Sequence, residues 1–317
     1  MTLDGWLDHI SNQHQQGIDM GLTRMQTMVG RLNLTAPAAK VITVAGTNGK
    51  GSTCVAIEQL LICAGIQVGT TLSPHISRFN ERIRLASKLI TETELSKLLD
   101  ECYEANAGKE ITYFEITTCA AMLAMSRKNA DYTLLEVGLG GRLDATNVIE
   151  KPALAVITPI SFDHEQFLGN SIEKIASEKA GIIKDRVPVV IGNKDKRTQD
   201  IFIEVAKIHN APIYFAQGSK FNFSSDLKGS YQIKNIQIVV SALNHLPQIQ
   251  LEKNVIKKGL SNVVANTGIM GRWQTINLSP KVILDVAHNK EGLIFIKNQL
   301  KYLVYKKLHL VMGFVKG

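Results

Sequence analysis

The sequence predicts an α/β protein: a mostly parallel central sheet of the phosphate-loop type, with helices on both faces. Three observations carry this. Across residues 36–266, short apolar runs alternate with amphipathic stretches, the pattern of strands joined by crossover helices. The first run, Val41-Ile42-Thr43-Val44-Ala45, opens directly into the glycine-rich turn Gly46-Thr47-Asn48-Gly49-Lys50-Gly51-Ser52, and helix-forming sequence follows. Later runs also end in loops rich in polar residues, and in an open α/β sheet such strand-end loops line the ligand crevice.

Composition narrows the class. A length of 317 residues allows two domains or one large one, and 45% apolar with 20% charged residues is ordinary for a globular protein in water. The apolar stretch 54–66 is broken by Glu58 and Gln59, so it reads as a helix and not a membrane span. The N-terminus carries Asp4 and Asp8 and no basic-then-apolar leader, so a cytoplasmic location is expected. Cys54, Cys63, Cys102 and Cys119 form no C-x-x-C pair and fall in helical segments, which suits reduced thiols. The net charge of +8 is dispersed, apart from small clusters at 194–197 and 257–258. A nucleic-acid binder concentrates such charge in a stripe with aromatics. No nucleic-acid or membrane partner is therefore expected, while small anionic substrates fit the excess as well as a solvated basic surface does.

In chain order, residues 3–34 read as two short helices joined around residues 17–21. Leu3, Leu7 and Ile10 share one face, Leu22, Met25 and Val29 another, and Asp19 is a candidate N-cap. In the glycine turn, the glycines allow backbone N–H groups to point at an anion, and the helix that follows aims its unpaired N–H groups at the same place. Lys50 can neutralise phosphate charge, and Ser52 can reach a magnesium ion. The spacing departs from G-x-x-x-x-G-K-[ST], because Gly46 and Gly49 are closer together and Gly51 separates Lys50 from Ser52. The alternative is a glycine-rich turn without a ligand, which leaves a lysine between two glycines unexplained.

A strand at 67–72 leads into a loop, 73–83, that mixes Pro, His, Arg and Glu. Helices are expected at 93–106 and from Thr112 through Met125, the latter with a Met and Leu stripe that suits core. The strand 132–137 carries an acid, Glu136, near its end, where a magnesium contact is expected in phosphate-loop enzymes. The glycine cluster 138–147 follows. The strand 153–158 ends in a loop holding His164, for which a ligand role is favoured over a structural one. The helix 171–184 contains Lys179, which by itself reads as a solvent-facing lysine. Strands at 188–191 and 212–215 flank a helix at 197–210. The polar, aromatic segment 218–233 suggests a small antiparallel addition, and helices are expected at 234–245 and 252–266. Residues 268–274 read as a linker. A strand at 281–286, a helix at 291–302 and a strand at 307–313 follow, a unit too small to bury its own faces.

Taken together and in order, the stretches 44–52, 73–75, 112–115, 136–147, 163–169, 178–182, 271–274 and 285–289 resemble the folylpolyglutamate synthase/dihydrofolate synthase family, related to the Mur amino-acid ligases. The resemblance implies ATP- and Mg-dependent ligation of L-glutamate to dihydropteroate, and to the γ-carboxylate of folate, through an acyl phosphate. It implies that Thr47, Asn48, Gly49 and Lys50 hold the ATP phosphates, with Gly51 and Ser52 in the same cradle. Ser73 and Glu136 correspond to ligands of one magnesium ion and His164 to a ligand of a second. Lys179 matches a lysine that the family carbamylates, which would make it a metal ligand. Asn235, Arg272 and Asp285 match ATP-binding positions, the last two reaching across a domain interface. His288 lies in the same motif and joins Lys50, Glu136, His164 and Lys179 as a candidate catalytic residue. Asp19, Met20, Gly21, Leu22, Thr112, Leu143, Asp144 and Ala145 match pterin-binding positions, which implies a bifunctional enzyme.

The resemblance also implies an ATP-binding domain over residues 1–270 and, from 271 to 317, the start of a Rossmann-like C-terminal domain, so the chain is expected to be truncated. A monomer is expected. Two alternatives stand beside this reading: a shortened relative that binds nucleotide without turnover, and a Mur-type cell-wall ligase, against which the stretches 19–22 and 112–115 argue.

Overall fold

In a computed structural model, the described residues are 1–13, 19–34, 39–192, 195–216 and 223–313. The chain opens with α1 (Leu3–Gln13) and α2 (Thr23–Arg31), then β1 (Lys40–Ala45), α3 (Lys50–Cys63), β2 (Val68–Thr71), β3 (Ile83–Leu85) and β4 (Lys88–Leu89). The middle holds α4 (Glu92–Asn106), α5 (Tyr113–Arg127), β5 (Tyr132–Glu136), β6 (Leu154–Ile157), α6 (Glu165–Leu168), α7 (Ile172–Ala180), β7 (Val189–Ile191) and α8 (Lys196–Ile208). Then follow β8 (Ile213–Phe215), α9 (Gln232–Asn244), α10 (Lys253–Leu260), α11 (Val263–Thr267), β9 (Gln274–Leu278), β10 (Lys281–Leu284) and α12 (Lys290–Leu300).

Eight strands form one sheet in the order β4-β3-β2-β5-β1-β6-β7-β8, in which only the β2–β3 and β3–β4 pairings are antiparallel. Its strands are near-continuous apolar runs because helices cover both faces. Alternate residues of β1 take opposite sides. Ile42 and Val44 pack with α3 and α9, Val41 with α4 and α5, and Ala45 with α7 and α8. Several helix starts are fixed by side chains that satisfy backbone N–H groups. Thr91, Ser171, Asp195 and Asn289 accept from the first turns of α4, α7, α8 and α12, and Thr112 with Glu115 forms a reciprocal box on α5.

The structure departs from the expected elements at six places. Asp19 does not cap α2; Leu22 holds that position without a side-chain bond, and Asp19 accepts from Arg24 Nη1 at 2.6 Å. The rest of the expected joint, residues 17 and 18, lies outside the described residues. Residues 83–89 add the antiparallel β3 and β4, of 3 and 2 residues, too short to show alternation. The expected antiparallel addition at 218–233 contains no strand among its described residues, and 217–222 lie outside them. The helix expected over 252–266 is broken at Ser261–Asn262 into α10 and α11. Residues 307–313 form no strand: among the described residues none offers them a partner, and backbone groups that cannot pair with a neighbour remain with water. β9, not expected from the sequence, pairs instead with β10 in a separate hairpin.

Candidate active site

Adjacent parallel strands bring their carboxyl ends together. In register, Val44 of β1 pairs with Glu136 of β5, and Ala45 pairs with Ile157 of β6. The glycine turn therefore leaves the sheet between an acid and the loop 158–164. Gly46 has φ 135°, and a Cβ there would lie 2.9 Å from Thr158 Cβ, so the turn requires glycine. Thr47 Oγ1 donates to Ser161 O and accepts from Ser161 N, both at 3.1 Å, which fastens the turn to the β6 loop. Gly49, at φ 91°, caps α3, whose first residue, Lys50, donates to Thr47 O at 3.1 Å. Ser52 is buried in the next positions; its Oγ accepts from Gln232 Nε2 at 3.2 Å, and Gln232 Oε1 accepts from Asn235 Nδ2 at 2.8 Å.

On the other side, Glu136 is buried and accepts from Ser73 N at 2.9 Å. Burial raises its pKa, opposed by Lys50, the Ser73 bond, Arg272 and Arg82, in that order. Arg82 donates from Nε to His75 Nδ1 at 2.8 Å and from Nη1 to Ser73 Oγ at 3.4 Å. A Cβ on Gly51 would stand 3.4 Å from both Glu136 Oε2 and Arg272 Nη2, so these opposite charges face one narrow gap above the first turn of α3.

Residues 271–291 fold back over this opening. Asp285 holds them together: it accepts from Tyr231 Oη at 2.9 Å, Trp273 N at 2.8 Å and Ala287 N at 2.9 Å. Asn289 and Asn48 exchange amide hydrogen bonds at 3.3 and 3.0 Å, and Asn48 Nδ2 also donates to Ser161 Oγ and Glu291 Oε2, each at 3.1 Å. His288 Nε2 lies 3.5 Å from Asp163 Oδ2. Burial works against ionisation of Asp163, but the His288 bond and the nearby imidazoles outweigh it and hold its pKa at about 2. The same hydrogen bond raises the pKa of His288.

Lys179 is buried, contrary to a solvent-facing reading, and its Nζ donates to Gly46 O at 2.9 Å. Burial, then the charge of Lys50, lowers its pKa to about 7. The sequence did contain a signal: Ile172, Ile175, Ala176, Lys179 and Ala180 share the buried stripe of α7. His164 is exposed, its pKa is lowered mainly by desolvation, and its Nε2 lies 3.8 Å from Asp163 Oδ1.

The remaining predicted residues form a neighbouring edge. Arg24 Nε donates to Glu115 Oε2 at 2.9 Å and Nη1 to Asp19, so the turn Asp19-Met20-Gly21-Leu22 is tied to the start of α5, where Thr112 N donates to Glu115 at 2.8 Å. Met20 Cε reaches within 3.6 Å of a Cβ built on Gly140. Buried Asp144 orders that loop by accepting from Gly138 N, Leu139 N, Thr146 N and Thr146 Oγ1 at 2.6–3.1 Å. Leu143 is half-buried beside it and Ala145 is buried.

A cavity of about 330 Å³ lies over the glycine turn. It is lined by Thr47, Asn48, Gly49, Lys50, Gly51, Ser52, Ser73, Glu136, Asn235, Arg272, Asp285 and His288, so these predicted residues converge; His164, Lys179 and the 19–22, 112 and 143–145 residues do not line it. Tyr231, Lys234, Glu291 and Phe295 also line it and were not foreseen. Gln232 was also missed, although two amides three residues apart on an apolar helix, Gln232 and Asn235, were a readable signal.

A phosphate-type loop beside an acid-tipped strand, closed by a later segment of the chain, is the cleft of a Mur-ligase-type α/β protein. Residues 44–278 match the model of the Mur ligase middle domain. The chain belongs to the Mur ligase family and, within it, to the dihydrofolate synthase/folylpolyglutamate synthase group. It is 35% identical over 316 residues to the dihydrofolate synthase/folylpolyglutamate synthase of Escherichia coli (strain K12), covering 95% of this chain and 73% of that one. Among solved structures it is similar to E. coli FolC in complex with DHPP and ADP, with a TM-score of 0.88 and 32% identity over 97% of this chain and 76% of that one. It is also similar to a bifunctional folylpolyglutamate synthase/dihydrofolate synthase with Mn, AMPPNP and L-glutamate bound, with a TM-score of 0.84 and 33% identity over 95% and 75% of the two chains.

Proposed function

We propose that this protein uses ATP to join L-glutamate to dihydropteroate, and to the γ-carboxylate of a reduced folate. The carrying observation is the convergence of the glycine turn, Ser73, Glu136, Arg272 and Asp285 on one cavity. A carboxylate is a poor electrophile toward an amine. Phosphoryl transfer from ATP to a carboxylate oxygen gives an acyl phosphate, and attack by the glutamate amine then displaces phosphate. Both partners in the first step are anionic, so catalysis rests on positioning and on positive charge.

Thr47, Asn48, Gly49, Lys50, Gly51 and Ser52 bind and orient the phosphates, Lys50 and Arg272 neutralise them, and Asn235 and Asp285 complete the nucleotide site. His288, whose protonated form Asp163 favours, can add positive charge at the closing segment. Ser73 and Glu136 suit a hard divalent cation: one buried carboxylate and one hydroxyl leave other positions for waters and phosphate oxygens. When bound, magnesium would offset charge on the transferred phosphoryl group. His164 and Lys179 would hold a second ion only with Lys179 carbamylated, and a pKa of about 7 supplies the neutral amine that adds carbon dioxide. The edge formed by Asp19–Leu22, Thr112 and Leu143–Ala145 holds the pterin. Residues 1–270 constitute the ATP-binding domain, and residues 271–317 belong to the glutamate-ligase domain that closes on it.

The test is ADP release from ATP and magnesium with each acceptor, dihydropteroate or tetrahydrofolate, with and without L-glutamate. Release that requires both glutamate and acceptor supports the proposal. Absence of glutamate-dependent release with either acceptor sinks it, and ATP affinity without product leaves a binding module in its place.

A further inference from the structure

We propose that Arg84 is a positioning residue for the nucleotide site, a buried guanidinium that sets the reach of Arg272 toward the phosphate loop. The proposal rests on the nucleotide reading of the cavity. Arg84 lies on β3, 3% exposed, and its Nε donates to both carboxylate oxygens of Glu58, at 3.1 and 3.0 Å. Glu58 is fully buried in the middle of α3, the helix that begins at Lys50, and is one of the two polar residues that interrupt its apolar run. Nη1 donates to Thr267 O at 2.7 Å and Nη2 to Ser87 O at 3.1 Å, so every guanidinium nitrogen is engaged.

Stability alone does not account for this arrangement. A buried ion pair costs desolvation, and apolar residues of similar volume would hold α3 to β3 as well or better. What an apolar pair cannot do is bind the Thr267 carbonyl. Thr267 ends α11, where helix carbonyls lack intrahelical partners and a cation is favoured. Directly after it, Gly268 turns the chain in the left-handed conformation, and Arg272 follows. The Arg272 guanidinium donates to Met270 O at 3.3 Å and Gly271 O at 3.2 Å, folded on its own segment, and its Nη2 stands 3.4 Å from a Cβ built on Gly51. Arg84 thus joins the helix of the phosphate loop to the fixed end of the short segment that delivers Arg272. A lysine would keep the charge opposite Glu58, but its single nitrogen lacks the rigid fork that reaches both partners.

The experiment is calorimetric titration of the 317-residue chain with Mg-ATP, for the wild type, Arg84→Lys, Arg272→Ala and the double variant. Arg84→Lys is expected to bind about tenfold more weakly, and the double variant no more weakly than Arg272→Ala, because coupled residues are non-additive. Wild-type affinity in Arg84→Lys, or a loss that adds in full to that of Arg272→Ala, overturns the proposal; a general loosening of the fold would give the additive result. If Arg84→Lys does not fold, Arg84→Met with Glu58→Met restores apolar packing without the fork. The same loss of affinity is then expected, and wild-type affinity overturns the proposal. A wild-type chain that binds no Mg-ATP overturns the nucleotide reading itself, and this proposal with it.

Discussion

Two alanines placed two residues apart in the glycine turn should have opposite effects on stability and the same effect on nucleotide. Gly49 has φ 91° and ψ −1°, and a Cβ there would stand 2.9 Å from Asn235 Cγ and closer still to its Oδ1. A left-handed conformation costs an L-residue about 1–2 kcal/mol. Displacing Asn235 also severs its bond to Gln232, which in turn donates to Ser52, for about 1 kcal/mol more. Gly49→Ala should therefore destabilise by roughly 2–3 kcal/mol, and lower Tm by roughly 5–10 °C at the few degrees per kcal/mol typical of larger domains. Gly51 is an ordinary helical residue whose added Cβ meets nothing closer than 3.4 Å. Gly51→Ala should gain about 0.5 kcal/mol from helix propensity and melt at or above wild type. Its methyl, however, enters the gap between Glu136 and Arg272, so Mg-ATP should bind at least about tenfold more weakly, about 1.4 kcal/mol. Differential scanning calorimetry and Mg-ATP titration read both quantities. A Gly51→Ala protein with normal affinity would refute the assignment of that gap to phosphate and metal. A Gly49→Ala protein with wild-type Tm would refute the steric reasoning.

Further outcomes follow from other buried groups. Asp144→Ala leaves three backbone N–H groups of its loop without an acceptor, so a loss of about 3 kcal/mol is expected by urea denaturation. Lys179 has a folded pKa of about 7, below the ordinary lysine value of 10.5, so the unfolded chain binds more protons between those values. In carbonate-free buffer stability should accordingly rise with pH from about 7 toward about 10, and Lys179→Met should abolish that rise, as read from urea midpoints at fixed ionic strength. Carbon-13 bicarbonate should give a carbamate signal in wild type that is missing from Lys179→Met; its absence from wild type would remove the second metal site from the proposal. Asp285→Ala leaves Trp273 N and Ala287 N unpaired, at about 1 kcal/mol each, and should speed limited proteolysis within residues 271–290.

What could be read from the sequence was what depends on neighbours along the chain. Val41 to Thr53 displays strand, turn and helix within one window, and Thr112 with Glu115 shows its capping box at a spacing of three. The sheet's parallel character followed from alternation, and the convergence of strand-end loops followed from that character. The short β3 and β4 were invisible because two or three residues carry no period. The expected strand at 307–313 had the right apolar content and, among the described residues, no partner, a tertiary condition that composition does not report. Asp19 had the residue type of a cap, but Arg24 captured its carboxylate. The Arg84–Glu58 node left only one trace, an acid in an apolar helix, since Glu58 and Thr267 lie 26 and 183 residues from Arg84.

The amide exchange between Asn48 and Asn289 spans 241 residues of sequence. The phosphate turn is thus complete only after a segment far downstream has folded back onto it. A nascent polypeptide that has not yet released residue 289 from the ribosome carries the turn without its closing partner. Because a ligand stabilises only the state that binds it, by RT ln(1 + [L]/Kd), nucleotide would favour molecules in which the two segments have met over those in which they have not. Affinity for nucleotide would then report on closure of the fold as well as on the residues that touch it.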